Sequence, residues 1–195
     1  MPVPPIVLAS ASPRREELLG RVVDHFAVRP AAIDETPRAG EPPRDYVARM
    51  AAEKAAALDA PGSIVVAADT VVVLDGEVLG KPTDRADAAA MLRRLSGRDH
   101  EVLTAVLVAD TRNGSTVADI ASTVVTIEPL TEDRIAWYLD SGEADDKAGA
   151  YGLQGLAAVF ADRIDGSVTN VVGLPLPMLD RLLRRVDVLV GEATP

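Results

Sequence analysis

The chain has 195 residues, 48% hydrophobic and 26% charged, the make-up of an ordinary globular protein with room for one well-buried domain and little room for two. A net charge of −10 weighs against binding long nucleic acid, which needs a positive stripe, and the absence of cysteine excludes disulfides and Cys-based metal or thiol chemistry. No apolar run approaches the ~20 residues of a membrane span, and "MPVPPIVLASAS" has no basic n-region, so neither a membrane segment nor a secretory signal is expected, and a cytoplasmic protein fits.

Residues 6–11 read as a strand and 13–22 as a helix, with Ser12 as N-cap and Pro13 in the first helical position, where its missing N–H costs nothing. A loop rich in Pro, Gly and Glu (29–43) leads to a helix at about 43–59. The run 63–74 is continuously apolar and β-branched, as in a strand buried on both faces, and Asp75-Gly76 turns it into Glu77-Val78-Leu79. Thr83 is the expected cap of a helix at 84–96 with an apolar stripe of Ala88, Met91, Leu92 and Leu95. Two β-rich segments, 101–110 and 116–128, meet through Asn113-Gly114. A helix near 132–140, a glycine-rich loop at 142–155, a hairpin across Asp165-Gly166 and a last helix at about 176–187 complete the chain. Hairpins mixed with crossover helices predict a single α/β domain over 1–195, a mixed sheet flanked by helices.

Three features do not fit a bland protein. Arg14 and Arg15 occupy the first turn of a helix, where the macrodipole and free N–H groups are already positive. Either they pair with Glu16, Glu17 or another acid, or they form an anion site, since guanidinium matches phosphate bidentately. Lysine occurs only at Lys54, Lys81 and Lys147 among twenty basic residues, and Lys54 falls within the apolar stripe Val47, Met50, Ala51, Leu58. A lysine there needs an acid or an anionic ligand. Asp69 interrupts the most apolar strand, and an ionised carboxylate in that setting needs a metal, a cation or a catalytic proton. Glu35 gains interest as a second acid beside Asp69, because magnesium takes a couple of carboxylates together with substrate phosphate oxygens. Lys81 follows a hairpin between Gly80 and Pro82, and Gln154 stands in a loop whose glycines shape it around something. His25 and His100 lack ligand-spaced companions and read as structural.

Together, "LASASPRREELL", "AADTVVVLDGEVLGKP", "MLRRLSGRDHEVLTAV", "DKAGAYGLQG" and "VVGLPL", in that order and spacing, closely resemble the Maf family of nucleotide pyrophosphatases from about residue 6 to 183. The resemblance implies hydrolysis of a nucleoside triphosphate to the monophosphate and pyrophosphate with a divalent cation, Mg²⁺ or Mn²⁺. It also implies a fold like the inosine triphosphate pyrophosphatases, with a curved sheet and two lobes around a cleft, and a homodimer. Asp69 matches the family's catalytic acid. Ser10, Arg14 and Arg15 match its N-terminal phosphate-binding motif, and Glu35, Lys54 and Lys81 match further polar groups, Asp69 and Glu35 being the expected metal ligands. Arg14, Thr70 and Gln154 resemble the branch that prefers dTTP and UTP. The rival expectation is a nucleotide-binding regulator of cell division and septum formation without hydrolysis, in which Asp69 or Glu35 would have drifted; both are present.

Overall fold

The computed structural model describes residues 4–189, so the two ends of the expected 1–195 domain lie outside the described residues. Within these residues seven strands form one open, mixed sheet: β1 (Ile6–Leu8), β2 (Phe26–Val28), β3 (Ile64–Leu74), β4 (Glu77–Leu79), β5 (Asp99–Asp110), β6 (Ser115–Ile127) and β7 (Ala161–Asp165). The order is β2-β1-β3-β5-β6-β7, with β4 also paired to β3. β1 runs parallel to β2 and to β3, while β3–β4 and β6–β7 are antiparallel. Among the described residues six α-helices accompany it: α1 (Pro13–Gly20), α2 (Pro43–Ala56), α3 (Arg85–Leu95), α4 (Glu132–Leu139), α5 (Val168–Val172) and α6 (Leu176–Arg184).

The chain divides into two compact units, the first made of residues up to Asp69, Thr104–Ala121 and Gly173 onward, the second of Thr70–Leu103 and Ser122–Val172. In the first unit, β3 is buried along its length up to Asp69, which explains its unbroken apolar character: a strand covered on both faces has no solvent side to mark with alternating polar residues. Val65 and Ala67 share a face by the two-residue strand period and pack with Val7, Ala9 and Ala60, with Ala55 of α2 and Leu58 just beyond it laid against them. Asp69 continues that face. In the second unit, α3 contributes Ala88, Ala89, Leu92 and Leu95, and α4 contributes Ile135, Tyr138 and Leu139, to a core completed by Phe160. The Tyr138 and Phe160 rings meet edge to face at 5.4 Å between centroids.

Two local expectations are corrected, the cap of α3 and the hairpin at Asp165-Gly166, while β2 is an addition and Ser12 keeps its N-cap position. The short strand β2 was not foreseen, since three residues carry no readable period. Ser12 occupies the N-cap position of α1 with extended backbone, but its side chain makes no capping bond. Helix α3 is capped by Asp84 rather than Thr83: the Asp84 carboxylate accepts from Asp87 N at 2.8 Å, and a carboxylate serves the positive helix end better than a hydroxyl. Asp165-Gly166 does not make a hairpin. β7 returns antiparallel on β6, with Asp165 opposite Val124, and Gly166 (φ +134°) then turns the chain into α5. There Asn170, fully buried, donates to Val102 O at 2.9 Å and Thr123 Oγ1 at 3.0 Å. That anchoring decides the path of the chain, and no local turn propensity encodes it.

A Cβ at Gly166 would lie 2.6 Å from Thr123 Oγ1 and 3.0 Å from Thr123 Cα. Gly166→Ala should therefore lower unfolding free energy by about 1–3 kcal/mol, as urea denaturation would read, whereas Gly62→Ala, at φ +74° and with nothing within 4 Å of the added Cβ, should cost less.

Candidate active site

The first unit gathers most of the residues singled out in the sequence. Helix α2 lays Val47, Met50 and Ala51 against the core, and Lys54, one turn on, is 7% exposed. Because α2 covers the sheet face that carries Val65 and Ala67, its lysine meets the next polar residue on that face. Lys54 Nζ donates to Asp69 Oδ1 at 2.7 Å and lies 3.1 Å from Glu35 Oε1. The two acids differ in setting: the Asp69 side chain is 9% exposed and that of Glu35 is 55%. Burial pushes the Asp69 carboxyl above the usual carboxylate range, against the opposing pull of Lys54 and Arg15.

Arg15 approaches from α1. Its Nε donates to Gly173 O at 2.9 Å and its Nη1 to Ser10 Oγ at 3.3 Å. Loss of hydration pulls the guanidinium below its ordinary range while the charges of Asp69 and Glu35 push it back, so Arg15 lies in the field of both acids. An arginine stays protonated under such a shift. Arg14 stands half-buried beside it. Ser10 is buried, and its Oγ also accepts from Ser12 N at 3.1 Å, which ties the strand-to-helix step to the Arg15 site. The "VVGLPL" motif thereby acquires a role: Gly173 (φ +121°), a conformation open to glycine, presents the carbonyl that fixes Arg15 from 158 residues away.

The loop carrying Glu35 is held by side chains that sequence reading passed over. Tyr46 Oη donates to Glu35 O at 2.8 Å. Burial, with the negative charges of Asp69 and Glu35 nearby, pushes the Tyr46 hydroxyl up to about 12, so it stays a donor. Arg49 grips Glu41 bidentately at 2.6 Å on each arm and donates to Thr36 O at 3.2 Å. The same pairing holds the Glu41 carboxyl down to about 2. The signal was present as Glu41, Arg49 and Glu53, the last two one helical turn apart, but exposed charges at that spacing are common enough to pass as a solvated face.

The second unit holds the other named residues. Thr70 is half-buried on β3, and Lys81 and Gln154 are exposed. The hairpin segment before Lys81 and the glycine-rich loop are joined where Gly149 N donates to Gly80 O at 3.0 Å. A Cβ at Gly149 (φ +69°) would press to 3.1–3.2 Å on Val72. Next to it Tyr151 Oη lies 2.6 Å from Nε2 of His100, which is 3% exposed. His100 is thus a structural residue of the core, as expected.

Over residues 5–186 the chain matches the family described as Maf-like protein. A dTTP/UTP pyrophosphatase of Anaeromyxobacter dehalogenans (strain 2CP-C) is 54% identical over 186 residues, 93% of this chain and 94% of the relative. A dTTP/UTP pyrophosphatase of Symbiobacterium thermophilum is 50% identical over 173 residues, 88% of each chain. One of Myxococcus xanthus (strain DK1622) is 50% identical over 182 residues, 92% of this chain and 91% of the relative.

Lys54→Met removes the cation and leaves Asp69 buried, so it should destabilise the protein by about 3–5 kcal/mol at neutral pH; the double variant Lys54→Met/Asp69→Leu should recover much of that loss in urea titrations. Burial holds His100 down to about 4 from 6.5, with Asp99 opposing. The unfolded chain then binds a proton that the folded one refuses, so the contribution is complete above pH 6.5 and is lost as pH falls through 4. His100→Gln should flatten the pH 7 to pH 4 decline in unfolding free energy by ~3 kcal/mol.

Proposed function

The chain belongs to the Maf-like family, and on that premise we propose that it hydrolyses dTTP and UTP to the monophosphate and pyrophosphate. The observation that carries the reading is the Lys54 ammonium bridging a buried Asp69 and an exposed Glu35, with Arg15 in the field of both acids. A triphosphate brings about four negative charges at neutral pH, and Arg14 and Arg15 supply cations where the phosphates are read to bind. Arg15 is pre-set by Gly173 O and Ser10 Oγ, so little ordering is left for the binding event.

The donor set fits a divalent cation. Two carboxylates converge on one ammonium nitrogen, and hard oxygen donors of this kind hold Mg²⁺ or Mn²⁺ jointly with substrate phosphates. Among the described residues no group of three or more His, Cys, Asp or Glu could hold a metal. Asp69 and Glu35 would hold it, and when bound it would neutralise phosphate charge and polarise the α-phosphoryl group. Asp69, kept protonatable by burial and oriented by Lys54, accepts the proton of a water whose oxygen bonds to the α-phosphorus. The bond from the α-phosphorus to the bridging oxygen breaks, and pyrophosphate leaves with that oxygen. Arg14 and Arg15 stabilise charge gathering on the leaving group. From the family motifs, Ser10, Lys54 and Lys81 are assigned to the phosphates with Arg14 and Arg15, and Thr70 and Gln154, again with Arg14, to substrate specificity. A homodimer and a cytoplasmic location belong to the same proposal; no helix among the described residues is long and apolar enough to cross a membrane.

The test is pyrophosphate release with Mg²⁺ or Mn²⁺ from dTTP, UTP, CTP, 7-methyl-GTP and ITP. Preference for dTTP and UTP is expected, and Asp69→Asn should lower kcat by ~10²–10⁴-fold. A loss of less than about tenfold would remove Asp69 from the role of base, and nucleotide binding without release would favour a regulator.

A further inference from the structure

Gln154 lies at a corner of a single tight turn. Gly155 N donates to Gly152 O at 3.3 Å, which makes Gly152–Gly155 a β-turn with Leu153 and Gln154 at its centre. A side chain on an exposed turn selects a base only if the turn itself is held, because discrimination needs placement to within about 0.5 Å. One shoulder is fixed before the turn by Tyr151 on His100. After the turn the chain enters a short 3₁₀ segment, Leu156–Phe160, and its leading N–H is met from elsewhere: Glu143 Oε2 accepts from Leu156 N at 2.9 Å. The carboxylate reaches that N–H by crossing Gly155. A Cβ there would fall 2.0 Å from Oε2, 2.6 Å from Cδ and 2.8 Å from Oε1. Glycine at 155 is therefore the seat of the Glu143 carboxylate, although its backbone has no left-handed conformation to require it. Glu143 is half-buried and is itself tied down, its carbonyl accepting from Lys147 Nζ, which also reaches Asp146 Oδ1 at 2.7 Å. The lysine of the "DKAGAYGLQG" motif is thus spent on holding Glu143.

We propose that Glu143 is a positioning residue for Gln154: its carboxylate, seated on Gly155 and bonded to Leu156 N–H, sets the turn that presents the glutamine and so sets discrimination among pyrimidine bases. This rests on the reading of Gln154 as the base-recognising residue of a dTTP/UTP pyrophosphatase.

Glu143→Ala should lower the dTTP-over-CTP ratio of kcat/KM at least tenfold, mainly through KM for dTTP, while kcat stays within about threefold. Glu143→Gln keeps an acceptor oxygen and should stay within threefold of wild type on the ratio. Gly155→Ala displaces the flexible carboxylate rather than the backbone, so it should reproduce Glu143→Ala, and the double variant should be no worse than either single one. Hydrogen exchange at Leu156 N–H in nucleotide-free protein supplies a readout that needs no turnover: protection should be lost in Glu143→Ala and Gly155→Ala and kept in Glu143→Gln. An unchanged dTTP-over-CTP ratio in folded Glu143→Ala, additive single effects, or unchanged Leu156 protection would each overturn the proposal. Wild-type protein without preference for dTTP and UTP would overturn the substrate reading instead, and Leu156 protection would still decide whether Glu143 holds the turn.

Discussion

A carboxylate buried in an apolar strand is the constraint on which the first unit depends. Asp69 sits where hydration is lost and Coulombic compensation must come from within the protein. Only a cation delivered by a neighbouring element can supply it, and α2 does so by placing Lys54 inside its own apolar stripe. The pair is a poor device for stability alone, since an apolar pair of similar volume often serves as well or better. Burial raises the affinity of the Asp69 carboxylate for a proton while Lys54 orients it, which suits the proposed role of proton acceptor.

The surrounding architecture follows from that pair. Glu35 must come within reach of the same ammonium while staying open to solvent, so its loop is anchored through backbone carbonyls: Tyr46 holds Glu35 O and Arg49 holds Thr36 O. The side chain of Glu35 is left toward the exposed side. Arg15 is handled similarly, with Gly173 O and Ser10 Oγ fixing its guanidinium in the field of the two acids. Carbonyl and hydroxyl acceptors orient the cation without cancelling its charge, whereas a direct carboxylate partner would. Arg15 at a helix start, unfavourable by the helix dipole, is tolerated because the charges of Asp69 and Glu35 act on it.

The second unit solves a different problem, the shaping of exposed loops. The segment before Lys81 and the glycine-rich loop share a backbone hydrogen bond between Gly80 and Gly149. Tyr151 enters the core against His100, and Glu143 crosses Gly155 to the next N–H. The glycines serve unlike purposes. Gly149 needs both its positive φ and the space beside Val72, whereas Gly155 is small because a carboxylate lies over it.

Much of this was legible in the amino-acid sequence, and what was legible shares a cause. The buried strand at 63–74, the amphipathic helices, the turn at Asp75-Gly76 and the oddity of Lys54 and Asp69 are local signals, written in periodicity and in the cost of burying charge. These determined the α/β class and, with the motif order, the family and the candidate acids and cations. What required the folded chain were pairings between residues far apart in sequence. The partnership of Arg15 with Gly173 spans 158 residues, the path after Gly166 is set by Asn170 reaching Val102 and Thr123, and the seat of Glu143 depends on a glycine twelve positions on. Such contacts follow from strand order and helix placement, which no local pattern encodes. The sequence alone therefore singled out the candidate groups for the chemistry, and the tertiary structure decided which of them meet and what holds each in place.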